Sequence, residues 1–204
     1  MQLEPMLNIE NDLLSLITSN ASQQKYAAGD IVVSQNMKID QTAFLTKGLL
    51  KAHIEEADNS LMLYHIQMNN NPVLNFIKTK YQFSVPVSVT AVEESTLLWV
   101  SNSKIIEWSE QYLSLKKTIV NSHEYNLRQM LLAVKNLAIH SLDDRLFDYL
   151  KTKASIYNDM NIKISRTEIA SDLNTSKATI SRVLKRLENE NKVIGKPRSI
   201  ALIA

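Results

Sequence analysis

The stretch Ser165 to Ile194, SRTEIASDLNTSKATISRVLKRLENENKVI, constrains the fold more than any other part of the chain. Ser165 stands three residues before Glu168, the spacing of a capping box, and Ile169, Ala170 and Leu173 then give a short helix one buried stripe. Asn174 is one of the few non-glycine residues that tolerate positive φ, so a sharp turn is expected at Asn174-Thr175-Ser176. With Ser176 as N-cap, a second helix places Ile180, Val183, Leu184 and Leu187 at i, i+3, i+4 and i+7, facing inward. Lys177, Ala178, Ser181, Arg182 and Lys185 then lie on the other side. Such a pair has the pattern of a helix-turn-helix, whose second helix enters the DNA major groove by its N-terminal end. The bland alternative is a helical hairpin with a solvated basic face.

Charge favours the first reading. From Lys163 to Arg198 there are nine basic residues against four acidic, a net +5. From Ser141 onward the balance is twelve against eight, +4, whereas Met1 to His140 has eleven against thirteen, −2. The asymmetry confines the phosphate-attracting field to the C-terminal part. Beyond the second helix, Lys192-Val193-Ile194 and Ser199 to Ile203 are β-prone runs separated by Gly195-Lys196-Pro197-Arg198, the pattern of a wing with Lys196 and Arg198 at its tip, within reach of a phosphate.

A chain of 204 residues with 45% apolar content is long enough for two modest domains with real cores. No run of eighteen apolar residues and no signal-like start is present, so a soluble cytoplasmic protein without membrane contact is expected. The absence of cysteine excludes disulfides, Cys-ligated iron–sulfur clusters and thiol redox sensing. His53, His65, His123 and His140 lack metal-ligand spacing, and neither a nucleophile constellation nor a phosphate-cradling glycine loop occurs. Neither an enzyme nor a cofactor or metal site is expected.

In the N-terminal half, Leu7 to Ser19 reads as a short helix. From Tyr26 the runs AAGDIVVSQ, TAFLTKGLLKAHI, SLMLYHIQM and VPVSVTAVEESTLLWVS, broken by turn residues, predict a β-sandwich or roll. Helical spacing resumes at Ser103 or Ser109 and continues to Ala138 without Gly or Pro. Val120, Leu127, Leu131, Val134 and Ala138 share one seam of that helix, and Ile119, Met130, Ala133 and Leu137 lie beside it. Two stripes need both the helix's own domain and a second cover, which homodimerisation supplies through Val120, Leu127, Met130, Leu131, Val134, Leu137 and Ala138. The alternative is a helix packed only across its own barrel. Ser141, three residues before Asp144, then caps a new helix carrying Leu142, Leu146, Phe147 and Leu150. The expected class is α+β, with a β-roll over 1–108, a long helix over 109–140 and a winged helix-turn-helix over 141–204.

This order of parts resembles the Crp/Fnr superfamily of bacterial transcription regulators over nearly the whole chain. SRTEIASDLNTSKATISRVLKRLE resembles that family's DNA-binding signature, and GDIVVSQNMKIDQTAFLTKGLLKAH its opening strands, with Gly29 and Gly48 at the turn glycines. The resemblance implies that Lys177, Ala178, Ser181 and Arg182 face base edges. It likewise implies phosphate contacts for Ser165, Arg166, Thr167, Ser176 and Lys185, alongside Lys196 and Arg198 on the wing. It implies a homodimer on an inverted-repeat operator in double-stranded DNA, with RNA polymerase as a further partner. Many members carry Glu at the position of Ala178, where a carboxylate accepts from cytosine N4; alanine offers only a methyl for thymine, so the site preference should differ.

The effector pocket departs further. Members that bind cyclic nucleotides have a Gly-Glu pair on the ribose and Arg-Ser on the cyclic phosphate, and those positions fall on Leu74-Asn75 and Val85-Pro86. A buried phosphodiester without a guanidinium or backbone donors leaves its charge unpaired, so control by cyclic AMP is not expected. A second function class stays open, a sensor or interaction module whose winged helix contacts protein rather than DNA.

Overall fold

The structure is a computed structural model that describes residues 9–57, 59–68, 73–74, 87–196 and 199–203. Two compact units emerge, one of residues 1–55 and 63–130, the other of 56–62 and 131–204.

The first unit is a β-roll. After helix α1 (Asn11–Asn20) come β1 (Ser22–Tyr26), β2 (Ile31–Val33), β3 (Gln41–Lys47), β4 (Leu49–Glu56), β5 (Asn59–Gln67), β6 (Val73–Leu74), β7 (Ser88–Ala91) and β8 (Ser95–Ser101). They form two four-stranded sheets, ordered β1-β8-β3-β6 and β2-β7-β4-β5. Leu45, Leu50, Ala52, Ile66, Val89, Leu97 and Trp99 point between the sheets into one core. On the other face of β3 and β8, Phe44, Leu98 and Val100 pack under Leu13 and Ile17 of α1, Ile105 and Trp108 of α2 (Asn102–Gln111) and Leu115. Buried on both faces, β8 reads as the unbroken apolar run Leu97 to Val100 rather than an alternating one. The sheet's outer strand β1, SQQKY, is nearly all exposed and gives no such signal, and it is placed by its pairing with β8 from Ser22 opposite Trp99 to Tyr26 opposite Ser95.

The expected single helix from Ser103 or Ser109 is two. α2 ends at Tyr112, whose backbone is extended (φ −114°, ψ 104°), and α3 runs from Leu113 to Ile139, so the long helix begins at 113 rather than 109. No glycine or proline marks the break; it lets Trp108 and Leu115 enter the same core. Further along, the buried Ser122 hydroxyl donates to the Val73 carbonyl of β6 at 3.1 Å, and Met130 packs against the core of the roll.

The second unit holds α4 (Leu142–Tyr157), β9 (Asn161–Ile162), α5 (Arg166–Asp172), α6 (Lys177–Asn189), β10 (Val193–Gly195) and β11 (Ile200–Leu202), the strands forming a sheet ordered β10-β11-β9. Leu146 and Leu150 of α4 share its core with Ile169, Ile180, Val183, Leu184, Leu187, Val193 and Ile200. Ser141 caps α4 by accepting from the Asp144 amide at 3.2 Å, the expected geometry. No helix among the described residues is long and apolar enough to cross a membrane.

Gly29 and Gly48, the two turn glycines, have φ of +92° and +97°. At Gly48 a Cβ would stand 2.6 Å from the Glu94 carbonyl oxygen, whereas at Gly29 it would meet nothing within 4 Å. Gly48→Ala should therefore cost about 2 kcal/mol or more, since strain adds to backbone overlap, and Gly29→Ala about 1 kcal/mol from strain alone. Urea melts of the two variants check this order.

Candidate nucleic-acid interface

The candidate interface is built from helix ends. Ser165 caps α5 by accepting from the Glu168 amide at 3.1 Å, and Ser176 caps α6 by accepting from the Thr179 amide at 3.1 Å. Only half of the expected capping box forms at Ser165, because the Glu168 carboxylate lies 3.8 Å from the Lys153 ammonium instead. Between the helices Asn174 takes φ +50°, as its residue type allows, and the Asn174 and Thr175 amides donate to the carbonyls of Ser171 and Ala170 at 3.2 and 2.9 Å. This is a Schellman closure. Asn158 after α4 and Asn191 after α6 use the same left-handed conformation, so asparagines set the C-terminal ends of α4, α5 and α6.

Ile180, Val183, Leu184 and Leu187 are all buried, which turns the opposite face of α6 outward. Lys177, Ala178, Arg182 and Lys185 are exposed and Ser181 is half-buried. The Ser181 hydroxyl donates to the Lys177 carbonyl at 3.0 Å, leaving its lone pairs to accept from a base. Arg182 donates from Nη2 to the Thr179 hydroxyl at 3.2 Å, and that oxygen lies 2.8 Å from Ser176 Oγ. Thr179 was not among the expected contacts, although its spacing of three from both Ser176 and Arg182 places all of them along one edge of the helix.

Ser165, Arg166 and Thr167 of the first helix, Lys177 of the second and Gly195 and Lys196 of the wing line one hollow of about 510 Å³. Three cations and two hydroxyls around an open concavity suit a phosphate far better than an apolar ligand. Ser165 keeps its O–H for donation, because the cap uses only a lone pair. Ser176 and Lys185 lie outside the hollow's lining, and Arg198 lies outside the described residues. The wing is tied back to α6, since the Gly195 amide donates to the Glu188 carboxylate at 2.8 Å and a Cβ at Gly195 would meet that same oxygen at 2.4 Å. Glu188, which reads in the sequence only as a charge, thus anchors the end of β10 at Gly195.

Behind the interface lies a polar layer with no local sequence signal. Tyr149 of α4 donates to the Asp172 carboxylate of α5 at 2.7 Å, both being buried, and the Lys153 ammonium sits over the Tyr149 ring at 5.6 Å. Burial first, then the neighbouring carboxylate, pushes the Tyr149 hydroxyl well above its ordinary pKa. Arg186, part of the basic tally, forms a two-pronged pair with Asp143 of α4, its Nε donating at 2.6 Å. Lys192 pairs with Glu190 at 2.7 Å. Arg166, Lys177, Lys185 and Lys196 make no ion pair among the described residues, so the available positive charge is concentrated on the α5 start, α6 and the wing.

No sequence-family profile matches this chain, and no curated protein does. Solved structures match along its full length. A transcriptional regulator of the Crp/Fnr family from Eubacterium rectale ATCC 33656 superposes with a TM-score of 0.82 at 18% identity, covering 100% of this chain and 95% of that one. The chain has the Crp/Fnr fold. The cyclic-di-GMP-responsive global regulator CLP of Xanthomonas campestris matches with a TM-score of 0.80 at 15% identity, over 96% of this chain and 100% of that one. A Crp/Fnr regulator from Thermus thermophilus matches with a TM-score of 0.68 at 15% identity, over 90% of this chain and 94% of that one.

In this Crp/Fnr fold the seam on α3 is bare. Val120, Leu127, Leu131 and Val134 are 56–61% exposed, and Leu137 and Ala138 are exposed as well. Met130 differs from the rest of its group, being half-buried against its own roll. At the position of the ribose-gripping pair, Leu74 is buried in the core of the roll. Asn75, Val85 and Pro86 lie outside the described residues.

The Asp143–Arg186 pair has a pH signature. Hydrogen bonds from the Arg186 guanidinium hold the Asp143 carboxyl below its ordinary pKa. A depressed carboxyl contributes stability that is present above its unfolded-state value, near 4, and disappears as pH falls through the lower folded value. Urea melts between pH 7 and pH 3 should show a steep acid limb, and Asp143→Asn should make it shallower while lowering stability at pH 7.

Proposed function

We propose that this chain is a homodimeric, sequence-specific DNA-binding transcription regulator that does not answer to cyclic AMP. The carrying observation is the first half of α6. Its apolar face is buried while Lys177, Ala178 and Arg182 stand exposed at its start, beside a hollow that joins Arg166, Lys177 and Lys196. In the major groove such a helix presents Arg182 to guanine O6 and N7, Ser181 as an acceptor and Ala178 as a methyl contact for thymine. Ser165, Arg166, Thr167, Ser176, Lys185, Lys196 and Arg198 bear on the phosphates, fixing register without reading sequence. Full-length likeness to Crp/Fnr regulators supports the same reading.

The α3 seam supports a dimer. Four β-branched or leucine side chains more than half exposed on a helix that carries its own domain on another side need a cover, and a second copy of the same helix is self-complementary. Two recognition helices related by a twofold axis then meet successive major-groove faces about 34 Å apart, which makes an inverted repeat the natural operator. RNA polymerase is the partner through which bound regulator would act. The buried leucine where a ribose-gripping residue would stand argues against a cyclic nucleotide. The Xanthomonas neighbour, described as responsive to cyclic di-GMP, has nearly the same fold, so the effector is open to other chemistry.

Leu127→Asp should give monomers in sedimentation at micromolar concentration and weak operator binding, because one half-site loses the avidity of two. Sedimentation of the unaltered chain as a monomer at that concentration overturns the dimer.

The readout is tested by separating base from phosphate contacts. Arg182→Ala should cost roughly 1–3 kcal/mol on a duplex selected from a random pool while random DNA binds as before. Lys196→Ala should weaken all sequences alike and lower the salt slope by about one. A flat salt slope for the unaltered protein favours the protein-contact module instead.

A further inference from the structure

We propose that Thr179 is a positioning residue for base readout, holding the Arg182 fork at the end of a hydroxyl relay that begins at Ser176. Two observations carry this, and both rest on the DNA-binding reading above. The first is geometric. Arg182 Nη2 donates to Thr179 Oγ1 at 3.2 Å, Thr179 Oγ1 lies 2.8 Å from Ser176 Oγ, and Ser176 Oγ accepts the Thr179 amide at 3.1 Å. The second is a deficit. Ala178 leaves Arg182 with no carboxylate on the neighbouring position, and among the described residues Arg182 makes no ion pair. The threonine hydroxyl is thus the group that limits the rotamers of a long side chain which otherwise loses much entropy when it is ordered against a base.

Proton bookkeeping fixes the Arg182 end of the relay. The guanidinium can only donate, so Thr179 Oγ1 accepts from it, and with a second lone pair and a proton of its own it can either accept from Ser176 Oγ or donate to it. When Thr179 donates, Ser176 Oγ accepts both that proton and the Thr179 amide, and the Ser176 hydroxyl proton is free for an acceptor outside the relay. A DNA phosphate oxygen is such an acceptor, and hydrogen bonds in series polarise one another. Phosphate registration at the first turn of α6 and base reading one turn later are then a single connected network. Thr179 itself need not touch a base.

The test uses the full chain and a duplex selected by the unaltered protein from a random pool, competed against random duplex. Thr179→Val and Thr179→Ala both delete the hydroxyl, and the alanine also raises helix propensity, so a loss common to the two does not arise from a weakened helix. Each should lower the selected-to-random affinity ratio roughly three- to tenfold, in line with the net worth of one hydrogen bond, with the melting temperature little changed. Thr179→Ser, which keeps the hydroxyl, should retain the ratio. On an Arg182→Ala background Thr179→Val should change it no further. If Arg182→Ala lowers the ratio but Thr179→Val does not, or if Thr179→Val costs as much with Arg182 absent as present, the relay is wrong and the groove reading stands. An Arg182→Ala protein that discriminates as well as the unaltered one overturns the groove reading and the relay with it.

Discussion

The candidate interface hangs on the burial of four side chains, Ile180, Val183, Leu184 and Leu187, along one face of α6. Each contributes on the order of 1.5–3 kcal/mol by leaving water. Their arc fixes the rotation of the helix about its axis, and that rotation alone decides which residues look outward. The apolar arc begins at Ile180, so the residues from Lys177 to Thr179 project past the core and are held instead by the Ser176 cap and by the closure at Asn174. A hydrophobic clamp toward one end and a hydrogen-bonded one at the other make a rigid lever of a helix only 13 residues long.

Electrostatics is shaped by the same packing. The sequence carries a net positive balance over the whole C-terminal part, but the structure neutralises some of that charge internally. Arg186 is tied to Asp143, Lys192 to Glu190, and Lys153 is buried beside Tyr149 and Glu168. Among the described residues Arg166, Lys177, Arg182, Lys185 and Lys196 make no ion pair, and three of them, Arg166, Lys177 and Lys196, converge on one hollow. Focusing a small number of charges on one concave surface raises the local potential more than spreading them does.

The readable parts of this fold are those specified by local pattern. The four buried positions of α6, the serine caps at 141, 165 and 176, the left-handed Asn174 and the exposed seam of α3 all follow from spacing and residue type over a few neighbours. The unreadable parts depend on contacts distant in sequence. β1 is a polar run that becomes a strand because β8, about seventy residues later, offers an edge. Tyr112 interrupts a perfectly helical sequence because Trp108 and Leu115 must reach the same core. Lys153 and Asp172 look like surface charges by type, and only the approach of α4 to α5 buries them. Thr179 and Glu188 carry no sequence signal of their own, since neither residue type marks a site and each is legible only by the group it bonds, the Arg182 guanidinium and the Gly195 amide.

The exposed row on α3 has a further geometric consequence. Leu113, Val120, Leu127 and Val134 recur at intervals of seven, and all four are more than half exposed. Seven residues fall about 20° short of two full α-helical turns, so this row slants gradually around the helix instead of running parallel to its axis. A straight neighbour would touch it at one end and part from it at the other. Any helix that covers the whole row must coil around α3 with a left-handed twist, crossing at about 20°. The handedness of that supercoil is thus already written into one chain by the spacing of four side chains.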